Sequence, residues 1–332
     1  MPPLNAPVLR SVRRRSARLL SLGVLASLTA VTGLAACSNG DDGGAGGTGG
    51  SAPSAASAPS QAATPSPTPA PPELPRGGRA VFPDHRVIAY YGSGEFPGLG
   101  VLGEKSAEQS AQAIEKQATA YEPAGRKILP AMELITTVAL DSPGPTGTYS
   151  SNGDPAVVQR YLDVARKHKM LLILDFQPGQ GEFLPQLKRF EKFLTQPDVG
   201  VALDAEWRMK KGEIPGKTYG SATAAEINTV SAYVQDLVTK NNLPEKIFLV
   251  HQFRLDMLPD REKIVDREGL ATVFHADGFG PQSEKKEVYA ALALPGPPYS
   301  IGFKLFYEDD PDLMTPTQAM ALRPQPDLIT YQ

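Results

Sequence analysis

One cysteine, one tryptophan and four histidines are all that the 332 residues hold of those three types. A lone cysteine excludes an internal disulfide framework and any multi-cysteine zinc site. Four histidines without an HExxH or a close His-x-His spacing offer no familiar zinc-hydrolase pattern. There is no GxxxxGK[ST] loop for phosphates and no GxSxG elbow for a serine nucleophile. Gly92 and Gly94 are followed by Gly98, off the dinucleotide fingerprint spacing, so no dinucleotide site is indicated. Excess positive charge is also missing, with 33 basic residues against 36 acidic. That argues against nucleic acid as a partner.

What is present begins with an address. Residues 1–36 carry Arg10, Arg13, Arg14, Arg15 and Arg18, no acid, and an apolar stretch from Leu19 to Ala36. These are the charged and apolar regions of an export signal. The stretch ends Leu34-Ala35-Ala36-Cys37, which resembles the lipobox of bacterial lipoproteins. That resemblance implies that Cys37 is acylated (palmitate and related chains) and holds the protein to the extracytoplasmic face of the cell membrane. Residues 37–80 are Gly/Ser/Pro-rich, cannot bury a core, and are expected to form a disordered linker. Without the five arginines, 28 basic residues face 36 acids, a net charge of −8, so membrane attachment would rest on lipid alone.

Residues 81–332 form the folded domain, read as a single α/β unit and a monomer. Eight apolar runs have strand character: Val87–Tyr91, Ile128–Glu133, Leu171–Asp175, Val199–Glu206, Ile247–Gln252, Thr272–Asp277, Ser300–Lys304 and Leu328–Gln332. Helical patterns at 104–121, 154–168, 182–194, 222–241, 257–267, 283–293 and 314–322 fill most gaps between them. Within 222–241, Ile227, Val230 and Val234 share one face. Asp154-Pro155 reads as an N-cap followed by proline at the first turn. Strands alternating with helices over about 250 residues predict a (β/α)8, TIM-like barrel. The last helix is missing, and the stretch around Phe82–His85 is a candidate to cover the gap. Pro130, inside the second run, predicts a bulge.

Barrel enzymes work at the carboxyl ends of their strands, and several of these runs end in polar residues. In the fourth, alternation puts Gly200, Ala202, Asp204 and Glu206 on one face and Val201, Leu203 and Trp207 on the other. Two carboxylates two residues apart repel, so one pKa rises into the range of a general acid. This Asp-x-Glu resembles strand four of the chitinase and glycosyl-hydrolase-type lysozyme barrels. The resemblance implies that Glu206 protonates a glycosidic oxygen, that Asp204 is its partner, and that Tyr91 is a floor residue. The Ala202–Trp207 and Gly302–Tyr307 segments are similar to envelope lipoproteins of high-GC Gram-positive bacteria.

Further ligand-binding candidates are Glu133, Asp175, His251, Gln252, Asp277 and Lys304 at strand ends, with Tyr331 as an aromatic platform; His275 shares a face with Asp277. The leading expectation is a glycoside hydrolase acting on a polysaccharide, with no metal or other cofactor. Two alternatives stand beside it. Glu133, Asp175, Glu206, His251 and Asp277 offer an oxygen-and-imidazole cage for a metal-dependent hydrolase. A non-catalytic glycan- or solute-binding lipoprotein is the other.

Overall fold

The computed structural model describes residues 70–293 and 299–332. The export signal, Cys37 and the linker as far as residue 69 lie outside the described residues. The strands are β1 (His85–Gly92), β2 (Lys127–Ala139), β3 (Ser150–Asn152), β4 (Leu171–Phe176), β5 (Val199–Asp204), β6 (Lys246–Gln252), β7 (Leu270–Ala276), β8 (Ser300–Leu305) and β9 (Leu328–Tyr331). Eight of them pair in parallel, and β1 joins both β2 and β9, closing the barrel. Closure removes the sheet edges. β3 is a short antiparallel addition to β2.

Alternation divides the barrel into two layers. Val87, Ala89, Leu129, Ala131, Leu171, Ile173, Ala202, Ile247, Leu249, Val273 and Leu328 fill the interior. Their neighbours Ile88, Met132, Leu172, Leu174, Val201, Leu203, Phe248, Val250, Phe274 and Phe303 pack outward in a second cluster with the helices. Those helices are α1 (Ala107–Thr119), α2 (Pro155–Lys167), α3 (Phe183–Arg189), α4 (Glu191–Leu194), α5 (Ala224–Lys240), α6 (Gln282–Leu292) and α7 (Pro316–Met320). Local chemistry explains several of their starts. Ser106 and Gln109 form a capping box at α1, and Asp154 caps α2 ahead of Pro155. Thr223 accepts from the Glu226 N–H at α5, which buries Ile227, Val230 and Val234.

Several expectations are corrected. The helix expected at 257–267 is two short 3-10 turns, Leu255–Met257 and Arg261–Lys263, around Pro259. The helix expected at 182–194 breaks into α3 and α4. β5 stops at Asp204, because the Asp204 side chain accepts the Glu206 N–H and starts a 3-10 turn over Ala205–Trp207. Pro130 causes no bulge: its register with Ile88 is unbroken and pairing with β4 begins one residue later, at Ala131. The irregularity in β2 falls between Ile135 and Thr137 instead.

Residues 70–80, expected in the linker, belong to the barrel. Leu74 and Val81 are buried in the interior cluster. Arg76 donates to the Ile128 carbonyl and Arg79 to that of Leu243, while the N–H of Val81 donates to the Glu245 carboxylate. These partners stand at or before the first residues of β2 and β6, so the segment stoppers the amino-terminal end of the barrel rather than replacing a flanking helix. No helix follows β9 among the described residues.

Candidate active site

His251, facing inward from β6, is the centre of a buried network. Its Nδ1 lies 2.8 Å from Asp277 Oδ2 and its Nε2 2.8 Å from Glu133 Oε1. Asp175 Oδ1 is 3.7 Å from the same Nε2. Each acid has a second tie. Glu133 Oε2 accepts from Thr330 at 3.0 Å, and Asp175 Oδ2 accepts from the Tyr91 hydroxyl at 3.1 Å. The Tyr91 hydroxyl in turn accepts from Gln177 at 3.0 Å. Asp277 Oδ2 pairs with Lys304 at 3.2 Å. The Lys304 ammonium also rests 3.6 Å from the centroid of the Tyr91 ring, a cation–π contact.

Strand alternation accounts for this convergence. Tyr91, Glu133, Asp175, Asp204, His251, His275 and Lys304 continue the inward phase of the apolar interior residues. Sheet register sets Asp204 beside His251, and His251 beside His275. Gly302 follows on β8, where any Cβ would collide with the His275 ring. Glycine there is what admits a buried imidazole. His275 is fully buried, stands edge-on to His251 with centroids 5.2 Å apart, and neither of its ring nitrogens has a partner.

Burial and charge separate the titrations. Burial would raise Glu133 and Asp277, but His251 holds Glu133 low and Lys304 with His251 holds Asp277 well below the carboxylate range. Burial would lower His251 and Lys304, yet the surrounding carboxylates carry His251 well above an ordinary imidazole and keep Lys304 charged. His275, whose ring nitrogens have no hydrogen-bond partner, is lowered by burial to about 3 despite Glu133 and Asp277 nearby, and stays neutral. Burial and the charges of Asp204 and Glu133 push Asp175 well above its ordinary value. Asp204 rises through burial to about 6. Glu206, half-buried at the mouth just past β5, is raised well above 4.5 by loss of water and by Asp204 and Asp277. Glu206, raised by its acidic neighbours, therefore sits beside Asp204, which titrates at about 6.

Of the sequence candidates, the structure gathers Tyr91, Glu133, Asp175, Asp204, His251, Asp277 and Lys304, with Glu206 above them. Two fall elsewhere. Gln252 points out of the barrel, because His251 points in, and is tied to the Arg254 carbonyl and to Arg261. Tyr331 is outward for the same reason: it stacks on Tyr307 and bonds Tyr121 and Gln117 in the outer layer. Thr330 and Gln177 escaped sequence reasoning. Alternation through Leu328 would have found Thr330; nothing local marks Gln177, which lies one residue past β4. Trp207 is half-buried in the turn after β5, so strand parity does not apply to it.

The loops that follow the strands bring aromatic groups to the same end. Phe96, after β1, and Tyr307, after β8, are 49% and 39% exposed. Tyr219, after β5, meets Phe253, after β6, edge to face at 5.1 Å.

No family model matches the sequence, and no curated protein does. Solved structures with a similar chain path include 2,3-dimethylmalate lyase, a member of the PEP mutase/isocitrate lyase superfamily, with TM-score 0.43 and 11% identity over 76% of this chain and 77% of that one. Oxaloacetate acetylhydrolase matches with TM-score 0.31 and 13% identity, over 78% of this chain and 75% of the other. A bacterial fucosidase bound to an inhibitor matches with TM-score 0.29 and 11% identity, over 76% and 65%. The class established here is the (β/α)8 barrel, and its chemistry has to be read from the side chains.

Proposed function

We propose that the protein is a glycoside hydrolase of the cell envelope, anchored through Cys37 and acting on a polysaccharide outside the membrane. The observation that carries this reading is the Asp204–Glu206 pair. Glu206 holds its proton well above the ordinary carboxylate range, through burial and the charges of Asp204 and Asp277, and lies half-buried at the carboxyl end of a barrel strand. It is placed to give a proton to a leaving glycosidic oxygen. Asp204, fixed by the Glu206 N–H at 3.1 Å and ionised above about 6, supports positive charge developing at the anomeric carbon. Asp277 is ionised but tied to both His251 and Lys304, which suits it to electrostatic support rather than to nucleophilic attack. The chemistry therefore runs by inversion or with help from the substrate's own acetamido group. Exposed Phe96 and Tyr307 supply apolar faces for sugar rings.

The test is release of reducing ends from a polysaccharide panel that includes peptidoglycan, with the parent beside Glu206→Gln. Loss of activity by about 10²–10⁴-fold in the variant is expected of a general acid. Equal rates in the two proteins, or no release from any substrate, would end this reading.

A further inference from the structure

We propose that Glu133, Asp175 and His251 form a binding site for one divalent transition-metal cation, Mn²⁺ or Zn²⁺, inside the barrel. The site uses three residues other than the Asp204–Glu206 pair, although Asp204 stands beside His251, and it does not depend on the hydrolase reading. One oxygen of each acid and one ring nitrogen of the histidine lie within 4.8 Å of one another. The Nε2 of His251 is 2.8 Å from Glu133 Oε1 and 3.7 Å from Asp175 Oδ1. Neighbouring ligands about 2.1 Å from a cation are about 3.0 Å apart in an octahedron and about 3.4 Å apart in a tetrahedron. The observed separations bracket both.

Two features point to a ligand rather than to self-contained ion pairs. Asp175 Oδ1, fully buried, has no hydrogen-bond partner although it lies beside the other two donors. Alongside, His275 is fully buried with neither ring nitrogen partnered, its ring against that of His251. Buried nitrogen or oxygen atoms left without a hydrogen-bond partner cost free energy unless something binds them.

The supporting shell has the form that metal ligands require. Each of the three residues turns one atom toward the common point and has its other polar atom fixed elsewhere. Thr330 holds Glu133 Oε2, Tyr91 holds Asp175 Oδ2, and Asp277 takes His251 Nδ1. The last is a carboxylate–histidine–metal arrangement, with Lys304 behind the carboxylate. Charge agrees: Glu133, Asp204 and Asp277 gather around the cations Lys304 and His251, with Asp175 and Glu206 adding acidic groups beside them. One nitrogen with two carboxylates favours Mn²⁺ or Zn²⁺ over an all-oxygen calcium cage. As the metal–nitrogen bond forms, the Nε2 proton that bridges to Glu133 leaves to solvent.

Equilibrium binding of MnCl₂ and of ZnCl₂ to the full-length protein, with Mn²⁺ followed by electron paramagnetic resonance, tests this directly. One equivalent per chain is expected. Asp175→Asn and Glu133→Gln should weaken it at least tenfold, and Glu206→Gln should leave it unchanged. Thr330→Val, which removes no ligand atom, should weaken binding about 10–100-fold and guards against ligand variants that fail to fold. Absence of saturable binding of either ion to the parent would overturn the site, as would binding unaffected by the Asp175, Glu133 and Thr330 changes. Equal loss in Glu206→Gln would place the ion at the mouth pair and overturn it too. In Mn²⁺-soaked crystals, an anomalous peak within about 2.0–2.3 Å of all three donors is the expected result; a peak elsewhere would refute it.

Discussion

Asp204 carries an ionisation that burial has moved from 3.8 to about 6. A carboxyl raised in the folded state takes its proton before the unfolded chain does, so between pH 3.8 and 6 stability falls as pH rises. Above about 6 the full penalty of a buried charge is present. Asp204→Asn removes it while keeping an oxygen to accept the Glu206 N–H. The variant should be more stable than the parent by about 2–3 kcal/mol at pH 7.5 and no more stable near pH 3.5. Thermal unfolding at the two pH values decides this; an equal effect at both would show that charge is not the cause. The same substitution removes a like charge from beside Glu206 and lowers the pKa of that acid. The alkaline limb of any pH–rate profile should therefore move to lower pH in Asp204→Asn.

Among the elements, the loops after β7 and β8 share one clasp. Asp310 accepts from the N–H groups of Gly280 and Phe306 and pairs with Lys285 at 2.9 Å; Lys285 also donates to the carbonyls of Gly278 and Lys304. Asp310→Ala would strand a buried ammonium, and we expect a loss of about 3–5 kcal/mol in chemical denaturation. At Gly302 a methyl must displace the His275 ring, so Gly302→Ala should cost about 1–3 kcal/mol. Wild-type stability in that variant would mean that the ring is not packed against β8. The strand runs were legible in the sequence because inner and outer apolar layers leave eight blocks that few other folds produce. The inward phase of Tyr91, Glu133, Asp175, Asp204, His251 and Lys304 was legible for the same reason. Where reading failed, a single group had overridden the pattern. Asp204 capped a turn and ended β5 early, and Pro259 left only 3-10 turns where periodicity suggested a helix. Tyr331 has the aromatic ring of a sugar platform, but parity with Leu328 turns Thr330 inward and Tyr331 out. The tie of Gln177 to Tyr91 joins residues 86 positions apart, a pairing that only the closed barrel makes.

At the scale of the whole molecule, the stopper at the amino-terminal end is part of the core. Leu74 is 3% exposed, and its composition-poor surroundings gave no sign of that. Leu74→Ala should cost about 2–5 kcal/mol, and a chain beginning at residue 84 should melt well below one beginning at residue 70. Equal melting temperatures for the two would show the segment to be dispensable. Lys246, at the same end, is held among the carbonyls of Gln196 and Val199 and is lowered by burial to about 7. Because the unfolded chain keeps this proton up to 10.5, stability should rise with pH from about 7 to 10 through this group.

The stopper also sets a direction. It leads in from residue 70 at the pole where the strands begin, whereas Glu206, Phe96 and Tyr307 lie at the pole where they end. Within the described residues, the entering backbone and the candidate site therefore occupy opposite poles of the barrel, and the stopper lends no side chain to the mouth.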